Sequence, residues 1–149
     1  MNSVPSVPHA VRGTAALEFA LFAPLLLIML VYLVELGDGV YETMQVQNAA
    51  EAGALYAAKH GWNSTGISAA VVNSSGLSGL TASPAPLEFC GCPAANAIAS
   101  SACAQACASG ATAGTYVKIS ASFSHQTILT YPGMTSPTTL TGVAIVRVN

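Results

Sequence analysis

Residues 19–34 contain no charged side chain, and with Thr14, Ala15, Ala16 and Leu17 they form an apolar run of about 20 residues, the length a helix needs to cross a bilayer. Only Glu18 interrupts it. A cleaved secretory signal has a comparable apolar stretch but ends in a small-residue cleavage site, whereas Glu35, Gly37, Asp38 and Gly39 follow here. A retained membrane helix over residues 14–36 is therefore expected, with the lipid bilayer as its first partner. Arg12 is the only lysine or arginine before the run, and Glu35, Asp38, Glu42 and Glu51 precede Lys59 after it. The positive-inside tendency then puts residues 1–13 in the cytoplasm as a short leader and the rest of the chain outside. Pro24 removes one backbone donor inside the span and predicts a kink near Ala23.

Outside the membrane the chain has the length of one small domain. Four lysines and arginines against six aspartates and glutamates give a net charge of -2, so the cationic side chains that would neutralise nucleic-acid phosphates are missing, and nucleic acid is excluded as a partner. Alanine, serine, threonine and glycine dominate the second half. A domain of such small side chains buries little apolar area per residue and needs covalent staples.

Beyond the span, Val40, Met44, Gln47, Ala50, Ala54, Leu55 and Ala58 recur at helical spacing, which predicts an amphipathic extension over residues 37–61 ending at Gly61. Glu42, Gln45, Asn48 and Glu51 are expected on its exposed side. Gly37 and Gly39 weaken helix where the chain leaves the membrane and mark a hinge. Ala49, Ala50, Ala52, Gly53, Ala54, Ala57 and Ala58 allow another backbone to come close. Residues 61–66 read as a turn, with Asn63, Ser64 and Thr65 a formal glycosylation sequon given no weight beyond that, and residues 67–72 as one short helix.

The remainder reads as strands. Residues 116–124 alternate, with Val117, Ile119, Ala121 and Phe123 on one face, and residues 139–148 do the same with Leu140, Ala144, Val146 and Val148. Tyr131, Pro132 and Gly133, with Ser136 and Pro137, form the loop between them, so the two strands are expected to be antiparallel neighbours, with residues 87–90 a third. The predicted fold class is α+β: a long amino-terminal transmembrane helix continuing into an amphipathic spine helix, packed on a small antiparallel sheet within an exported domain over residues 62–149.

Cys90, Cys92, Cys103 and Cys107 lie outside the cell in this orientation, where thiols oxidise, and two disulfides are the simplest outcome. Four thiolates would also suit zinc, but the one-residue spacing of Cys90 and Cys92 matches structural zinc sites poorly, so no metal is expected. Three pairings are open. Cys90 and Cys92 would share a strand face and Cys103 and Cys107 a helix face, so cross-pairing would tie residues 93–102 to the strand. His9, His60 and His125 have no motif partner that would make a catalytic base, and each reads as a surface residue. Neither an enzyme nor a cofactor is indicated.

Gly13, Thr14, Glu18 and Phe19 fit the pattern Gly-x-x-x-x-Glu-aromatic directly before an apolar helix. This resembles the processing site of type IV pilin-like precursors, in which a prepilin peptidase cuts after the glycine. The run from Arg12 to Leu21, then Pro24 to Leu27, Glu35 to Gly37 and the alanine-rich stretch from Gln47 to Ala54, looks like the TadE-like family over residues 12–58. The resemblance implies a minor pilin or pseudopilin of a tight-adherence (Flp, type IVc) pilus used for attachment. Cleavage would fall between Gly13 and Thr14, and Glu18 would become the fifth residue of the mature chain. The implied partners are the prepilin peptidase, other pilus subunits and inner-membrane assembly machinery. The implied location is the bacterial inner membrane, single pass with a cytoplasmic amino terminus, and the pilus after processing. The alternative is an unprocessed single-pass protein whose exported domain binds a ligand or partner.

Overall fold

The computed structural model describes residues 14–95, 97–127 and 137–148. Its elements follow in the order α1 (Thr14–His60), α2 (Ser64–Asn73), β1 (Leu87–Pro93), β2 (Ile98–Ser100), β3 (Gly114–His125) and β4 (Thr138–Val148). This is the α+β arrangement expected, a long apolar amino-terminal helix followed by a small antiparallel sheet. Two compact units divide the chain, Met1–Asp38 and Gly39–Asn149. The division falls between Gly37 and Gly39, and both are helical.

In the first unit, α1 has the character of a candidate membrane span, with a mean hydropathy of 2.5 over its best 18-residue window and none of that window buried. Large apolar side chains from Leu17 to Leu36, apart from the half-buried Val31, are more than half exposed, and Glu35 is buried. A helix apolar on all sides is stable only in an apolar surrounding, which a bilayer supplies. Helix continues through Pro24, whose missing donor membrane helices tolerate.

The second unit holds a four-stranded sheet in the order β2-β1-β3-β4. Strands β3 and β4 pair antiparallel from Thr115 opposite Val148 to His125 opposite Thr138, as the two alternating stretches predict. Of their connecting loop, Tyr131, Pro132, Gly133 and Ser136 lie outside the described residues. Strand β1 pairs with β3 from Leu87 opposite Lys118 to Gly91 opposite Gly114 and runs three residues past the expected stretch. It continues because β2 pairs with it, with Gly91 opposite Ser100.

The helical face that packs on this sheet differs from the expected stripe. Val46, Ala49, Ala50, Gly53 and Ala57 are buried, whereas Val40, Met44, Leu55 and Ala58 are exposed, Leu55 by 72%. Close approach is the reason. A Cβ on Gly53 would lie 2.6 Å from Val71 Cγ2 and 3.0 Å from Ile119 Cγ2. One on Gly142 would lie 2.6 Å from the Val46 carbonyl oxygen and 2.8 Å from Gln47 Cα. The sheet selects small side chains on the helix, and size outweighs hydrophobicity in setting which face is buried.

Gly61 ends α1 in the left-handed region at φ +74°, and its N–H donates to the Ala57 carbonyl at 2.9 Å, as glycine after a helix does. Helix α2 starts at Ser64, three residues before the predicted Ile67, because Asn63 caps it: the side-chain oxygen accepts from the Gly66 N–H at 3.0 Å. Ile67 and Val71 of α2 complete a core with Val46, Val117 and Ile119, all fully buried. Each such side chain contributes about 1.5–3 kcal/mol on burial.

Gly142→Ala is expected to destabilise the second unit by about 1–3 kcal/mol, because the new methyl meets backbone that cannot swing aside. Gly39→Ala meets nothing within 4 Å and should leave stability unchanged or raise it by up to about 1 kcal/mol. Denaturation of the two variants of the full chain in detergent, followed by circular dichroism, checks the difference.

Candidate functional site

Two groups of residues singled out by the sequence occupy different units. In the first unit, α1 begins at Thr14, and Glu18 and Phe19 follow within its first two turns; Gly13 lies outside the described residues. Four residues apart on a helix, Thr14 and Glu18 share one face. Glu18 is exposed among apolar neighbours, with Leu17 71% and Phe19 69% exposed. No lysine or arginine occurs from Thr14 to Ala58, so no cationic side chain of the span can offset the carboxylate. A carboxylate in hydrocarbon without a partner costs several kcal/mol.

In the second unit, the cysteines pair as Cys90 with Cys103 and Cys92 with Cys107, with Cα atoms 5.1 and 5.6 Å apart. With every sulfur bonded to another, the thiolates that a zinc site needs are consumed. Cys90 and Cys92 sit on β1, as expected, two residues apart and so on the same face. Cys103 and Cys107 do not share a helix. Their segment is a run of turns pinned by an isolated bridge between Ala106 and Thr112. The segment holds Ala104 at φ +66°, in the left-handed region that an alanine enters at a cost of about 1–2 kcal/mol. Flanking crosslinks hold the chain there, the setting in which such strain persists. The cross-pairing also draws residues 93–102 against the strand, where part of them becomes β2.

Two contacts between α1 and the sheet join residues far apart in the sequence. His125, expected at the surface, is buried, and its Nδ1 lies 2.5 Å from Oε2 of Glu42, itself expected on the exposed side of α1 and half-buried instead. Residues 83 positions apart meet where the end of β3 reaches the helix, and no local periodicity records that. The second contact is made by Gln47. Its Nε2 donates to the Val143 carbonyl at 3.3 Å, and its Oε1 accepts from the Val143 N–H at 3.2 Å. His60, by contrast, is exposed at the end of α1 with its ring against Tyr56, and His9 lies outside the described residues.

Peptide mapping without reduction should recover the Cys90–Cys103 and Cys92–Cys107 pairs. Replacing either pair by serines is expected to lower stability by about 3 kcal/mol, the loop-closure value for spans of this size. Ala104→Gly is expected to raise stability by about 1 kcal/mol by relieving the left-handed alanine, with both pairs retained. A lower unfolding midpoint for that variant contradicts the account of strain.

Comparison with known proteins bears on the amino-terminal segment. The family model described as TadE-like protein matches residues 13–55, under a third of the chain. No curated protein and no solved structure matches the chain.

Proposed function

We propose, on the match of residues 13–55 to the TadE-like family model, that the chain is a minor pilin or pseudopilin that contributes to assembly of a tight-adherence pilus for surface attachment. Glu18 carries the reading: an acidic side chain exposed in an apolar helix that has no lysine or arginine before Lys59. A subunit beside others in an apolar filament can pair that carboxylate with the free amino terminus of a neighbour, which offsets much of its desolvation. Cleavage after Gly13 by a prepilin peptidase generates such a terminus at Thr14. In this reading residues 1–13 are the leader, 14–36 the membrane helix of a single-pass inner-membrane precursor, 37–61 its extension and 62–149 the exported domain. The two disulfides support an exported location, since they persist where thiols oxidise. Other pilus subunits and the assembly machinery of the inner membrane are the partners, and the role is structural rather than enzymatic.

Gly13→Ala or a bulkier replacement should leave a heavier precursor in the inner membrane, detected by mass spectrometry of the amino terminus. Glu18→Ala should be processed, oxidised and inserted normally, yet be depleted from the pilus or surface fraction. Normal surface levels and adherence with Glu18→Ala would overturn the assembly role and leave a simple membrane anchor with an exported domain.

A further inference from the structure

Among the described residues, strand β4 is an edge of the sheet, paired with β3 on one side. In an antiparallel ladder the backbone groups of successive residues point alternately toward and away from the neighbour. The Val143 N–H and C=O both meet Gln47 of α1, so they belong to the outward set, together with those of Thr139, Thr141, Ile145 and Arg147. An eleven-residue strand with open outward groups is a template for pairing with another chain.

The carboxamide of Gln47 meets Val143 as a strand residue would, with one donor and one acceptor. Its orientation follows from chemistry. Nε2 also donates to Oε1 of Glu51 at 3.2 Å, one turn along the helix. Turning the amide over would set its oxygen against the Glu51 carboxylate and the Val143 carbonyl, and its NH2 against the Val143 N–H, losing all three bonds. Gly142 makes the contact possible, because any side chain there would strike the backbone of Val46 and Gln47. Helix backbone therefore lies against the core-facing side of β4 at Gly142, and the amide reaches the hydrogen-bonding groups of the adjoining edge at Val143.

We propose that Gln47 is a one-residue substitute for a fifth strand, closing the β4 edge against strand addition by a second copy of this chain. The outward groups of Thr139 and Thr141 on one side and of Ile145 and Arg147 on the other are left as pieces too short for a stable ladder. Removing the amide joins them into one continuous edge.

Gln47→Met keeps side-chain length and volume while deleting both hydrogen-bonding functions, so it tests the amide rather than the packing. Residue-resolved hydrogen exchange by NMR on the full chain in detergent micelles, at low and high protein concentration, reads the outcome. In the wild type the Val143 amide should exchange roughly five- to tenfold more slowly than those of Ile145 and Arg147 at both concentrations, the protection expected of one hydrogen bond. In Gln47→Met at low concentration, Val143 should lose that difference while Ala144 and Val146, which bond to β3, stay protected. At high concentration Val143, Ile145 and Arg147 should become protected together. A wild-type Val143 amide as fast as that of Ile145, or a variant whose β4 exchange does not change with concentration, would overturn the proposal. If Gln47→Met loses the protection of Ala144 and Val146, Gln47→Glu is the second variant: it keeps an acceptor for the Val143 N–H but has no donor for its carbonyl. Retained protection of Val143 in Gln47→Glu with no concentration dependence at Ile145 supports the guard; concentration-independent loss overturns it.

Discussion

Residues 39–60 of α1 pack so closely that an added Cβ would crowd its neighbours at two positions, Gly53, against Val71 of α2 and Ile119 of β3, and Gly142 of β4, against the backbone of Val46 and Gln47. This contact organises the second unit. It brings Gln47 within reach of Val143 and sets Glu42 against His125, and the fully buried side chains beneath it are alanine, valine and isoleucine. Packing at such short range gains dispersion contacts that a wider spacing forfeits, which compensates for the small apolar area that each alanine buries.

The same contact explains why the unit needs two disulfides. Its core holds five fully buried side chains of valine and isoleucine size, and the far side of the sheet, at β1 and β2, lies away from the helix in the strand order. Hydrophobic burial cannot order the alanine- and serine-rich stretch after β1 by itself. The bonds from Cys90 and Cys92 to Cys103 and Cys107 hold it, and Ala104 takes a left-handed conformation within the crosslinked segment. Helix packing and covalent crosslinks thus stabilise opposite ends of one sheet.

The TadE-like match reaches Leu55 and so includes Val46, Gln47, Ala49, Ala50 and Gly53 of the packed face as well as the apolar span. A single helical segment has to satisfy two environments. From Thr14 to Asp38 it presents large apolar side chains on every side, and from Gly39 onward it presents small ones to a sheet. The strands themselves lie outside the match, and their sequence is constrained by the alternation and small size that the helix demands.

The sequence by itself determined whatever depends on neighbours along the chain. An uncharged run of bilayer length is a candidate span whatever follows it, alternation over residues 116–124 and 139–148 makes strands with one buried face, and Gly61 stops a helix. Four cysteines in a weak core pointed to disulfides, although not to which cysteine meets which. Tertiary structure decided the rest. Periodicity located the helix and one buried member of its stripe, Ala50, but misplaced the centre of the face: Leu55 and Met44 are the more hydrophobic residues, yet Gly53 and Ala57 are the buried ones, because hydrophobicity is written in each residue whereas the distance between two backbones is set by both surfaces together. His125 and Gln47 were illegible for the same reason, since the groups they bond, on Glu42 and Val143, lie 83 and 96 residues away and become neighbours only when the helix settles on the sheet.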